Sequence, residues 1–327
     1  MNPLFIIGIV LAGLVVLFFV MFFANKSASK KIYPRRGDAS NSIKYPLPSD
    51  FNNLDIKKDY FVNNKNARLT VYTYVKKNTS PKAVVLVSHG IGGGHFYLLP
   101  LINYLCLRDL AVVAYDQYGS MTSEGRRIES MNQGAIDIKF ALRYVEDHFK
   151  LPIYTLGHSW GGYCAAQALR YSSKVEKCTI IAGLNNEASM VNVPSIFRPL
   201  AKLIVMLCGA TLYGKYAFYS TYGAMKKTSA KVLYLQGKDD PVVLPKYTGY
   251  KYQKKFKNKK NIKVVMLDKK GHSPIVTYES QLRQAEVMKQ FGILGGNLVD
   301  LDTYIDFNKN NIPDKDVYNL IGDFLVD

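Results

Sequence analysis

Apolar residues follow two different rhythms along this chain. From Pro3 to Ala24 they form one stretch without a charged residue, PLFIIGIVLAGLVVLFFVMFFA. Coiled as a helix, that stretch reaches about 33 Å, enough to cross a hydrocarbon core of about 30 Å. A cleaved signal peptide would start with basic residues and carry a shorter apolar run. Here only Met1 and Asn2 come before the run, and the cations come after it. The pattern predicts a single-pass transmembrane anchor over residues 1–24. Lys26, Lys30, Lys31, Arg35 and Arg36 precede the first acid, Asp38. The positive-inside rule then puts the rest of the chain on the cytoplasmic side of a cell membrane. Residues 25–55, rich at first in Ser, Asn, Lys and Pro, are expected to form a basic tether.

The second rhythm begins near residue 60. Tyr60–Val62 and Leu69–Tyr74 flank an Asn-Asn-Lys-Asn turn and predict an antiparallel strand pair. Short β-branched runs follow at Ala83–Ser88, Ala111–Tyr115, Ile153–Leu156, Cys178–Ala182, Val232–Leu235 and Ile262–Leu267. Runs of this kind suit strands buried on both faces of a parallel sheet. Longer segments of helical character separate them, at Phe96–Arg108, Gln133–Phe149, Gly162–Tyr171 and Tyr278–Phe291. The alternation predicts an α/β fold with helices on both faces of a mostly parallel sheet.

Composition narrows the class. Of 327 residues, 48% are hydrophobic and 21% charged, which supports a packed core and excludes general disorder. Four cysteines in no CxxC pair exclude a disulfide scaffold and a Cys-rich zinc site. The net charge of +18 raises a nucleic-acid question. Eight lysines and no acid lie between Lys246 and Lys263, interleaved with Tyr247, Tyr250, Tyr252 and Phe256. No recognisable nucleic-acid motif accompanies them, and a face held against anionic lipid suits the anchor better.

The chemistry-bearing motifs fall just past the carboxyl ends of predicted strands, where a parallel sheet builds its sites. Gly157-His158-Ser159-Trp160-Gly161 fits G-x-S-x-G between a strand and a helix, the setting of an exposed nucleophile on a strained turn. His89-Gly90-Ile91-Gly92-Gly93-Gly94 is a glycine-rich turn that can aim a backbone N–H at an oxyanion. Asp239 and Asp240 both sit where a triad acid would stand. Of the five histidines, only His272 lies beyond them.

The order Ser159, Asp240, His272 and the motifs HGIGGG, YDQYGSMTSEG, GHSWGG, GKDDPV and GHS together resemble the α/β-hydrolase superfamily. Within it, the chain looks most like the monoacylglycerol lipase, lysophospholipase and proline-type aminopeptidase group, over roughly residues 60 to 325. The resemblance implies Ser159 as nucleophile, His272 as general base and Asp240 as acid. It implies an oxyanion hole from the backbone N–H groups of Ile91 and Trp160, with His89, Gly90 and His158 at the substrate side. Tyr118 stands where the group usually has Arg, and Met121 where it usually has Gly. No metal or organic cofactor is required.

Leu184–Ser229 is too long for a simple crossover and carries the apolar run Leu203–Leu207. It is expected to be a cap over the site, suited to an acyl chain. The expected organisation is thus an anchor (1–24), a tether (25–55) and a hydrolase domain (56–327) with a helical cap at about 184–229. The expected function is hydrolysis of a lipid-like ester, lysophospholipid or monoacylglycerol, beside a membrane bilayer and without nucleic acid. A small-ester carboxylesterase, a proline-type aminopeptidase and a non-catalytic membrane-tethered binding module are the alternatives. Oligomeric state is open.

Overall fold

The computed structural model describes residues 2–33, 35, 43–44, 46–91, 94–191, 193–291, 305–306 and 311–327. Residues 92 and 93 of the glycine-rich turn and residues 34, 36–42 and 45 of the expected tether lie outside these. Eight strands form the main sheet: β1 (Leu54–Val62), β2 (Arg68–Lys76), β3 (Ala83–Ser88), β4 (Leu110–Tyr115), β5 (Ile153–His158), β6 (Val175–Ile181), β7 (Lys231–Gly237) and β8 (Ile262–Leu267). Their spatial order is β1-β2-β4-β3-β5-β6-β7-β8. β1 pairs antiparallel with β2, and β2 with β4; every later pairing is parallel.

The short apolar runs become central strands because both faces of the sheet are covered. In β3, Val84 and Leu86 point into one core, while Ala83, Val85 and Val87 point into the other. Such alternation is the period-two geometry of a strand. The first core is closed by α3 (Met131–His148) and α4 (Trp160–Ala168), which supply Ala135, Ile138, Trp160 and Tyr163. The second is closed by α2 (Leu99–Leu107) and the last helix, α9 (Lys315–Val326), through Leu99, Ile102, Ile321 and Leu325. Burying each such side chain contributes about 1.5–3 kcal/mol. Helix starts are set by side chains: Ser130 accepts from the Asn132 amide at α3, and Asp314 from the Val317 amide at α9.

Between β6 and β7 the chain makes the long insertion expected of a cap. It holds α5 (Arg198–Tyr213) and α6 (Thr221–Lys227). The stretch 198–227 is long and apolar enough to cross a membrane by length and composition alone. Leu200, Leu203 and Leu212 are exposed along it, as are Ile196 and Phe197 just before it. α7 (Gly249–Phe256) lies within the lysine-rich segment and buries Tyr252 and Phe256 against the sheet, leaving its lysines outside. α8 (Tyr278–Phe291) follows the last strand.

The amino-terminal region differs from the expected basic tether in two respects. α1 runs unbroken from Pro3 to Ile32, so residues 25–32 are helix. Its end is also fastened to the body. Tyr33 is buried in the first core and hydrogen-bonds Glu187 at the base of the cap. Arg35 donates to the carbonyls of Met121 (2.9 Å) and Ser123 (3.1 Å) and to that of Gly125. These contacts join residues far apart in sequence, which local composition cannot reveal.

Candidate active site

The site is built where strands end. β5 runs straight into Ser159, and α4 begins at the next residue, Trp160. This turn holds Ser159 at φ 58° and ψ −118°. A residue with a side chain adopts such a backbone only when its surroundings force it, at about 1–3 kcal/mol. The neighbouring glycines allow the chain to close that tightly. A Cβ on Gly157 would lie 2.1 Å from the Gly161 carbonyl oxygen, and one on Gly161 would lie 1.9 Å from that of Ser88. The Ser159 amide donates to Ile181 at 2.8 Å and ties the turn to the end of β6.

His272 comes from the loop after β8. The Ser159 hydroxyl donates to its Nε2 at 2.9 Å. The Nδ1–H of His272 donates to both carboxylate oxygens of Asp240, at 3.0 and 3.1 Å. Asp240 is buried, whereas Asp239 is exposed, which separates the two adjacent acids. Three further donors hold the Asp240 carboxylate: Gln236 Nε2 at 2.7 Å and the amides of Val242 and Val243 at 2.8 and 2.9 Å. These bonds fix the carboxylate's orientation and support its charge in a buried place.

The glycine-rich turn packs directly on the serine. A Cβ on Gly90 would lie 3.3 Å from the Cβ of Ser159. Ile91 follows, half-buried against the first core. The Trp160 amide is at the first position of α4, where no intrahelical acceptor exists. Its indole donates to the Met131 carbonyl at 2.9 Å, so the side chain is a core strut.

The imidazoles of His89 and His158, expected at the substrate side, both hydrogen-bond within the protein. His89 is buried; its Nδ1–H donates to the Gly90 carbonyl at 2.6 Å, and its Nε2 accepts from the Gln117 amide at 3.0 Å. Both ring nitrogens are therefore used within the protein. His158 donates from Nε2 to the His272 carbonyl at 2.8 Å, with its ring between Tyr97 and His272. Burial, helped by the nearby His272, pushes the His158 pKa down to about 4. It is a neutral prop for the His272 backbone.

A second imidazole–carboxylate pair lies below the glycine-rich turn. His95 Nδ1–H donates to Asp116 Oδ1 at 2.8 Å, and the Tyr74 hydroxyl lies 2.8 Å from His95 Nε2. Thr122 donates to the other Asp116 oxygen at 3.1 Å. Burial opposes the charge on Asp116, but His95, His89 and Thr122 outweigh it and hold its pKa below the usual value. The sequence held no signal for this pairing beyond the presence of the two residues.

The overall fold is similar to that of solved esterases. A Pyrococcus furiosus esterase superposes with a TM-score of 0.58 at 17% identity, covering 81% of this chain and 99% of that one. The family described as Serine aminopeptidase, S33 matches residues 79–218. The chain has the α/β-hydrolase fold. A human monoglyceride lipase is 35% identical over 96 residues, 28% of this chain and 31% of the relative. A proline iminopeptidase of Saccharolobus solfataricus is 28% identical over 137 residues, 41% of each chain. The matches to these curated relatives thus span a third to two fifths of their length. The chain places its motif serine, histidine and acid after β5, β8 and β7 in one hydrogen-bonded line.

Proposed function

We propose that this chain is a membrane-anchored serine hydrolase that cleaves a lipid-like carboxylic ester, a lysophospholipid or a monoacylglycerol. The observation that carries the reading is the line from Ser159 Oγ through His272 to Asp240. In it, His272 Nε2 takes the serine proton as Oγ attacks the ester carbonyl, and the imidazolium is stabilised by Asp240. The tetrahedral oxyanion is held by the backbone N–H groups of Trp160 and Ile91. The imidazolium then protonates the leaving alcohol, and an acyl group stays on Ser159. Water, deprotonated by His272, releases the acid and restores the serine.

The lipid-like substrate is supported by the monoglyceride lipase similarity and by the apolar cap. The anchor is supported by α1, a 30-residue helix whose Leu4, Phe5, Ile6, Ile7 and Ile9 are exposed. It would place the catalytic domain against the cytoplasmic face of the cell membrane. Cleavage of a peptide from its free amino terminus is favoured by the aminopeptidase family match. Such a substrate needs a carboxylate for its ammonium group. The cavity beside the triad acid is lined by Arg198 and by no acid, which favours the ester.

The test is a panel of monoacylglycerols, lysophospholipids, short esters and aminoacyl amides, run with the wild type and Ser159→Ala in detergent. Long-chain ester turnover that vanishes in Ser159→Ala is expected. Turnover confined to aminoacyl amides would replace the lipase reading, and no turnover of any member would favour a binding module.

A further inference from the structure

Beside the triad acid lies a cavity of about 340 Å³ between the cap and the loop that carries Asp240. Val242, Leu244, Met190 and Val191 give it an apolar wall. Its polar side is cationic. Arg198 and Tyr247 line it. The Arg198 guanidinium carbon stands 3.9 Å from the centre of the Tyr247 ring, Lys246 Nζ stands 4.9 Å from it, and Lys202 Nζ 5.5 Å. Lys202 lies one turn after Arg198 on α5, and Lys246 is next to Tyr247 in the loop before α7. Two separate parts of the chain, the cap and the lysine-rich segment, therefore bring their cations to one aromatic ring.

Among the described residues, none of the ion pairs uses Arg198, Lys202, Lys246 or Lys251. Arg198 donates one bond, to the Ser189 carbonyl at 2.9 Å, while its Nε is buried without a partner. Burial and the charges of Arg198 and Lys251 lower the pKa of Lys202. Gathering like charges in this way is unfavourable unless an anion relieves it. A planar guanidinium with a free donor edge suits the oxygens of a phosphate, and the lysines supply point charge around it.

We propose that this cavity holds the phosphate of a lipid substrate's head group, with Arg198 as the principal ligand and Lys202 and Lys246 as supporting charges. The inference rests on the serine-hydrolase reading and selects within it: the preferred substrate is an anionic lysophospholipid over a neutral monoacylglycerol. The apolar wall of the same cavity accommodates the glycerol carbons. The lysine-rich segment acquires a specific function as one side of this site.

The experiment compares kcat/KM for a lysophosphatidate and for a monoacylglycerol of the same acyl chain. It uses the full-length protein in neutral detergent and the variants Arg198→Gln and Lys202→Gln/Lys246→Gln. The readout is the ratio of the two substrates, which cancels any loss of folded enzyme. Fluorophosphonate labelling separately reports an intact Ser159, so failure of the hydrolase reading is told apart from failure of this one. The wild type is expected to favour the phosphate substrate, and Arg198→Gln to lower that preference about tenfold or more. Arg198→Lys should restore part of it. Glycerol phosphate, added as a competitor of the neutral ester, should inhibit the wild type more than Arg198→Gln. A labelled enzyme with no preference for the phosphate substrate overturns the proposal, and so does a ratio unchanged in both variants. Inhibition by glycerol phosphate without a preference for the phosphate lipid would assign the cavity to a free phosphate and also overturn it.

Discussion

His272–Asp240 and His95–Asp116 are the same two functional groups at nearly the same separation, 3.0 and 2.8 Å. They differ in what the far ring nitrogen meets and in access. The His272 side chain is 20% exposed and its Nε2 faces the hydroxyl of a serine held on a strained turn. His95 and Asp116 are each 1% exposed, and the His95 Nε2 faces a tyrosine hydroxyl in the core. An imidazole–carboxylate pair is thus a base only where a nucleophile and a substrate can reach it. Sealed away, the same pair is a brace. His95 begins the segment after the glycine-rich turn, and Asp116 begins the turn after β4, so the brace joins two loops of the site.

The contrast can be broken from either side. The largest effect belongs to the exposed line. Ser159→Ala should lower kcat by about 10⁵-fold or more, measured on a long-chain ester. Asp240→Asn should cost about 10⁴-fold in kcat with the fold intact, because the amide favours the wrong tautomer of His272. A loss of tenfold or less would mean that Asp240 is another brace. Replacing His95 by Phe leaves Asp116 buried and unpaired. That change should destabilise the protein by about 3 kcal/mol in urea unfolding. Turnover per titrated active site should stay far nearer the wild type than it does in Asp240→Asn. A His95→Phe protein of normal stability but without turnover would erase the distinction.

The smallest effect concerns the prop behind His272. His158 is buried with a pKa lowered to about 4 from 6.5, so the unfolded chain takes up a proton first as pH falls. Its contribution is intact above about pH 6.5 and is lost as pH falls toward 4. Asp137, pushed up to about 6 by burial, acts with the opposite sign, its contribution being lost as pH rises through 6. Comparing the wild type with His158→Gln cancels Asp137. The wild type should lose about 2 kcal/mol more than the variant between pH 7 and 4.5, by thermal or urea unfolding.

The parts of this molecule that depend on local pattern were legible in its sequence. The two-faced strands follow from β-branched runs, and the serine elbow from small residues between a strand and a helix. The turn 116–125 is instructive. Met121 stands where the resembling group has Gly, yet its φ is 46°, so the glycine-like backbone persists with a side chain that packs on Gly94. Three features depend on contacts between distant segments and were not legible. Tyr33 meets Glu187, His95 meets Asp116, and Arg198 meets Tyr247. His89 and His158 show the converse. Their positions beside Gly90 and Ser159 place them near the site, and the bonds each ring makes within the protein come from distant segments or from its own turn.

The central claim is that one serine, activated by the exposed pair, does the chemistry. It is tested most directly by treating full-length protein with a fluorophosphonate and locating the adduct by peptide mass spectrometry. The expected result is a single modification on the peptide that contains Ser159, absent from Ser159→Ala and strongly slowed in Asp240→Asn. Full labelling of Ser159→Ala, or an adduct on another residue, would contradict the account.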